Sequence, residues 1–144
     1  MNSKVLMPFV CLLFFVQAYA QQGTIFGKWK TIDDETGEAK STVEIYKKGD
    51  AVYGKVVAIT DVTRQDEVCN KCEGNEKNTP VIGLDIIKNL KEDDGEYKGG
   101  TIFDPEKGKK YTAKIWLDEE DASILHVRGY IAFFYRTQDW IRIE

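Results

Sequence analysis

Histidine is nearly absent from this sequence, and no stretch carries a helical period long enough to cover a sheet face. The one histidine among 144 residues is His126. Once an N-terminal leader is set aside, it stands with only two thiols, Cys69 and Cys72, short of the four ligands of a structural zinc site. No nucleophile elbow or serine–aspartate context accompanies it, so a hydrolytic triad has no support. Haem attachment is excluded because Glu73, not histidine, follows Cys72. No metal or cofactor is expected. An excess of basic charge is missing too, since 20 Lys and Arg face 24 Asp and Glu. Nucleic acid, which selects a basic face, is not an expected partner. Beyond the N-terminus no apolar run approaches membrane length, so no transmembrane segment is expected in the remaining chain.

The N-terminus has the pattern of a secretory signal. Lys4 gives a basic start, 5–16 is an apolar run too short to span a bilayer, and Ala18-Tyr19-Ala20 is a small-x-small cleavage site. The expectation is a signal peptide over 1–20 and one domain over 21–144, in a protein exported to the periplasm or beyond the cell. Cleavage removes Lys4, leaving 19 basic residues against 24 acidic ones, a net charge of −5. It also removes Cys11 and leaves Cys69-Asn70-Lys71-Cys72 as the only cysteine pair. In an exported protein such a pair suggests a disulfide.

What is plentiful is the alternation of pleat-forming residues with sharp polar turns. In Thr101-Ile102-Phe103-Asp104-Pro105-Glu106-Lys107-Gly108, Pro105 supplies a fixed φ, Asp104 accepts backbone hydrogen bonds, and Gly108 supplies a left-handed residue. Tyr111 to Leu117 forms the return strand. The same plan predicts strands over 23–32, 41–48 and 51–60, the last with a bend at Gly54. The acidic stretch Asp33-Asp34-Glu35-Thr36-Gly37 lacks the alternating oxygen ligands of a calcium loop and reads as a turn. A long aperiodic connection, 61–79, carries both cysteines. Strand signals resume over 80–87 with a glycine-marked bend, 89–95 reads as a turn, and Tyr97 opens the next strand. Residues 124–130 alternate Leu125, Val127 and Gly129 against Ile124, His126, Arg128 and Tyr130, and 131–143 is read as the final run. About eight short strands without a covering helix predict an all-β fold. A small antiparallel up-and-down barrel solves both the edge and the core problem.

Two resemblances follow from these residues. Gly27-Lys28-Trp29 on the first strand, with an arginine near the end of the last, resembles the lipocalin pattern. That likeness implies a tryptophan closing one barrel end with Arg142 or Arg136 packed across it. The fuller pattern runs through Gly27-x-Trp29-x-Thr31, Asp33-Asp34-x-x-Gly37, Tyr53-Gly54-Lys55-Val56 and Cys69-x-x-Cys72. It continues in Gly99-Gly100-x-Ile102-x-Asp104-Pro105-x-x-Gly108-x-x-Tyr111, Val127-Arg128-Gly129-Tyr130-Ile131 and Arg136-Thr137-Gln138-x-Trp140-x-Arg142. Nearly all of the chain after the leader is similar to domain-of-unknown-function family 2147 of exported bacterial proteins. The resemblance implies a lipocalin-like barrel in the cell envelope and brings no activity. Ala132 stands where such sequences often carry glycine, and Tyr135 where glycine is common, so a straighter final strand is expected.

The candidate ligand-binding residues are Trp29, His126, Arg128, Tyr130, Arg136, Trp140 and Arg142. If arginines on the last strands face inward, they require a carboxylate partner or an anionic cargo. Three readings follow. The first is a non-enzymatic barrel that binds a small amphipathic or acidic molecule at its open end. The second is a redox or metal-handling protein using Cys69 and Cys72, and the third a solid barrel whose loops bind another protein.

Overall fold

The computed structural model describes residues 23–143. The signal read over 1–20, including Cys11, lies outside them. The described residues form a closed barrel of eight strands in which each pairs with the next and the last returns to the first. The strands are β1 (Gly27–Ile32), β2 (Ala39–Lys48), β3 (Ala51–Ile59), β4 (Asp85–Asp93), β5 (Glu96–Asp104), β6 (Lys109–Leu117), β7 (Ile124–Ile131) and β8 (Phe134–Arg142). All pairings are antiparallel, so up-and-down connectivity leaves alternate loops at opposite ends.

Period-2 alternation decides what fills the barrel. Val43 and Ile45 of β2 are buried while their neighbours Thr42, Glu44 and Tyr46 are not. On β3, where both faces carried apolar residues, Val52, Gly54 and Val56 are buried. A bulge between Thr42 and Val43 then shifts the register. Its consequence is that Ala58, expected on the face of Val56, is exposed and Ile59 packs on the core instead. Gly54 marks a further irregularity in the β3–β4 pairing, and a side chain there would press on Ile87 and Ile45 at about 3 Å. Trp29, Ile45, Ile87, Leu90, Ile115 and Leu125 are fully buried in the closely packed part of the interior. Burying each contributes roughly 1.5–3 kcal/mol relative to exposure.

Three expectations about boundaries are corrected. Residues 80–84 are not strand but the end of the long connection, and β4 begins at Asp85. The turn expected over 89–95 shrinks to Asp94-Gly95, because β4 runs through Asn89 to Asp93. Asn89 takes a left-handed φ of 62° inside the strand, opposite Gly99 and Gly100 of β5. The absence of a side chain at Gly100 admits the Lys88 carbonyl, which a Cβ would approach to 2.0 Å. The final run begins later than expected: Ile131 completes β7, Ala132-Phe133 is a hairpin turn, and β8 starts at Phe134. Ala132 keeps a φ of 51° without being glycine, so the bend expected to relax is retained.

The long connection holds two single 3-10 turns, Val62–Arg64 and Gly74–Glu76. Cys69 and Cys72 are joined in a disulfide, and both are buried with Val81 and Leu84.

Two glycine-related substitutions test this account. Gly100→Ala should lower stability by at least the ~1–3 kcal/mol of ordinary overpacking. Ala132→Gly should raise it by about 0.5–1 kcal/mol, the left-handed penalty less the entropy of a freer unfolded chain. Urea midpoints of both variants against the parent are the measurement; an unshifted Gly100→Ala midpoint would mean that β4 and β5 do not approach as described.

Candidate functional site

The two ends of the barrel differ in what they do. At one end Trp29 is fully buried and donates its indole Nε1–H to the Ile25 carbonyl at 2.8 Å. Arg142 stacks on its ring at 4.2 Å. The guanidinium also donates to the carbonyls of Phe26 (3.1 Å), Ala122 (3.2 Å) and Thr24. A cation on an aromatic face with its donors committed to carbonyls is a plug. Of the two arginines offered for this position, Arg142 holds it.

The other end is open. A cavity of about 560 Å³ enters the barrel there, among the β1–β2, β3–β4, β5–β6 and β7–β8 connections. Its wall carries Val56, Ile86, Ile102 and Tyr111, and Trp140 lies among its deeper, buried lining residues. Gly129 lets Tyr111 lie close to β7, since a Cβ there would come within 3.2 Å of the Tyr111 Cβ and 3.3 Å of its ring. Polar groups of the lining satisfy one another. Thr31 and Ser41 hydroxyls are 3.0 Å apart, and Trp140 Nε1–H donates to Gln138 Oε1 at 3.0 Å.

Two arginine clasps hold the rim. Arg64, in the β3–β4 connection, reaches Glu67 at 2.6 Å and Glu106 of the β5–β6 turn at 2.8 Å. Arg136 of β8 grips Asp34 of the β1–β2 turn through two N–H donors, at 2.5 and 2.9 Å, and lies 3.2 Å from Glu35. Gln138 adds a third donor to Asp34 at 3.2 Å. The Arg136 hydrogen bond holds the Asp34 carboxyl below the usual carboxylate range despite partial burial. Lys71 Nζ donates to the Glu106 carbonyl, fastening the disulfide segment to the same turn.

The seven residues expected to bind ligand therefore do not converge. Trp29 and Arg142 form the plug, Arg136 serves the rim, and Trp140 lines the cavity. His126, Arg128 and Tyr130 stand on the outer wall, because Leu125, Val127 and Gly129 between them face inward. His126 sits between Asp139 at Nδ1 (2.7 Å) and Asp118 at Nε2 (2.9 Å), beside Trp116. Arg128 lies over Trp116 (4.9 Å) and Tyr135 (4.3 Å). Among the described residues no three His, Cys, Asp or Glu side chains gather as a metal site.

Sequence reasoning missed Arg64, Tyr111, Ile102 and Gln138 as parts of the site. Tyr111 and Gln138 were visible within the quoted pattern, but Arg64 lies in an aperiodic connection whose course only the fold reveals.

Residues 27–142 match the model of a family described as "Uncharacterized protein conserved in bacteria (DUF2147)". No curated protein matches the chain. A solved structure with the same fold is that of protein HP1028 from Helicobacter pylori, described as belonging to the lipocalin family. It superposes with a TM-score of 0.72 at 16% identity, covering 85% of this chain and 84% of that one.

The His126 ion pairs predict a pH dependence of stability. Burial opposes the charged ring, but the hydrogen bonds to Asp118 and Asp139 outweigh it and raise the His126 pKa. A raised folded pKa makes its stabilisation complete below about pH 6.5, the unfolded value, and lost as pH rises through the folded value. Urea midpoints measured across neutral pH should fall toward alkaline pH more steeply in the parent than in His126→Gln. Parallel profiles would mean that the two carboxylates do not stabilise the imidazolium.

Proposed function

Since this chain belongs to the bacterial family described as uncharacterized (DUF2147), we propose a function from its cavity: the barrel carries a small amphipathic molecule, with the apolar body inside and the polar end at the rim. The observation that carries this reading is the cavity of about 560 Å³ opening at one end of an otherwise plugged barrel. That volume lies within the roughly 300–1,000 Å³ of small-molecule sites. An apolar wall under a charged rim suits a cargo with one apolar and one polar end.

The clasps refine the class of cargo. Arg64, Arg136 and Arg142 each already have protein acceptors. A carboxylate cargo would have to displace Asp34 or Glu106 to reach a guanidinium, which leaves Lys40 and Lys107 of the lining as the cations such a group would meet at the mouth. A cavity of this size argues against a solid barrel acting through its loops alone. The burial of Cys69 (1% exposed) and Cys72 (6%) removes the access that thiol–disulfide exchange requires.

We place this carrier in the cell envelope. The apolar leader, its small-x-small site and the Cys69–Cys72 disulfide support export to the periplasm or beyond.

Titration with the uncharged amphipathic fluorophore N-phenylnaphthylamine tests the reading. Saturable fluorescence enhancement is expected, weakened about tenfold or more by Ile102→Trp, which fills the cavity, with little change in Tm. Absence of saturable binding, or equal binding by the filled variant, would sink it.

A further inference from the structure

Among the described residues, four of the eight exposed large apolar side chains gather at one turn, while Val62, Val68, Ile141 and Ile143 lie elsewhere. Ile131, Phe133, Phe134 and Tyr135, around the β7–β8 turn, are 48%, 97%, 79% and 58% exposed. The turn occupies the open end of the barrel, where Ile131 and Phe134 border the cavity. Val62, 82% exposed, projects between the rim residues Asp61 and Arg64. Below the tip, on the outer wall, the composition changes in order. Tyr130 and Tyr135 pair across the strands with ring centroids 5.7 Å apart. Next comes Arg128, opposite Thr137. Its guanidinium rests on Tyr135 and Trp116 and donates to Thr137 Oγ1 and the Tyr130 hydroxyl. Among the described residues Arg128 has no carboxylate partner, unlike the two arginines of the rim clasps.

We propose that the β7–β8 hairpin is a membrane-interface anchor, with its Phe133-Phe134 tip in the headgroup–acyl boundary of a phospholipid bilayer and Arg128 against lipid phosphate. The vertical order supports a bilayer as the occupant. An apolar tip, then amphipathic phenols, then a cation is the sequence of environments a side chain meets on leaving a bilayer. Arg128 is three register pairs below the Ile131–Phe134 pair. At about 3.3 Å per residue this is ~10 Å, which sets Arg128 at headgroup depth when the tip is at the acyl boundary. The two hydrogen bonds of Arg128 leave further N–H donors of its guanidinium for a phosphate. A convex two-residue turn is a poor platform for a protein partner, which engages about 20–30 residues a side. The anchor goes beyond the cargo reading and does not need a cargo: Ile131 and Phe134 join the cavity mouth to the bilayer whatever the cavity holds.

The test is flotation with vesicles of phosphatidylethanolamine containing about one-fifth phosphatidylglycerol. The protein is taken as recovered from an exporting host, so that every variant carries the same N-terminus. The parent should float with the vesicles. Phe133→Ser/Phe134→Ser, in which both changes are at exposed positions, should bind at least about tenfold more weakly while unfolding at the same urea midpoint. Arg128→Gln should bind about fivefold more weakly. Ile102→Trp should float like the parent, so failure of the cargo reading leaves this result readable. Equal flotation of the double serine variant, or no flotation of the parent, would overturn the proposal. So would a dimer seen by sedimentation without vesicles and lost in that variant, which would make the tip a contact between copies.

Discussion

The barrel closes along a seam of only two residue pairs, Trp29 with Arg142 and Lys30 with Ile141. Elsewhere neighbouring strands share longer ladders. At the seam, the stacking of Arg142 on Trp29 and its donation to three carbonyls reinforce the two pairs and the Ile143 N–H bond to the Lys28 carbonyl. For a half-buried arginine such as Arg142 a cation–π contact contributes on the order of 1 kcal/mol. Its position matters more than its size. It joins the first strand to the last and seals the end of the interior, so the cavity has a floor only because the sheet has closed.

From that floor the interior changes character toward the mouth. Around Trp29 the core is apolar and buried. Higher up, Gly129 and the small hydroxyls of Thr31 and Ser41 replace bulk with space, and the clasps of Arg64 and Arg136 frame what is left. The charge of both rim arginines is committed to carboxylates of the protein itself. Position in the barrel, rather than residue type, separates the plug arginine, the clasp arginines and the outward Arg128.

The strand count and the barrel were legible because alternation and turn chemistry are local. Val43 and Ile45, Leu125 and Val127, and the Asp104-Pro105 turn each announce their role within a few residues. Less legible were places where two distant segments decide together. Asn89 reads as a turn residue and becomes one left-handed step within a strand only because Gly100 opposes it. Ala132 reads as strand, yet turns the chain between two ladders. The site was least legible of all. Arg128, Arg136 and Arg142 recur on the last two strands, but a period of two distinguishes only inside from outside, and depth along the barrel comes from register. The cavity depends on what Gly129, Thr31 and Ser41 leave unfilled, a sum over several strands that no single motif records.

The short seam has a mechanical side. Above Lys30 and Ile141, no residue pair joins β1 to β8, and the gap is bridged by Arg136 and Gln138 reaching Asp34. The molecule is a split ring with a side-chain latch across the split. Above the two seam pairs that latch rests on Arg136 paired with Asp34 and Glu35, and on Gln138 donating to Asp34, with no ladder of backbone bonds beside it. The line between the first strand and the last is therefore the one place in the wall where, over its upper half, side chains rather than backbone pairs hold the sheet together.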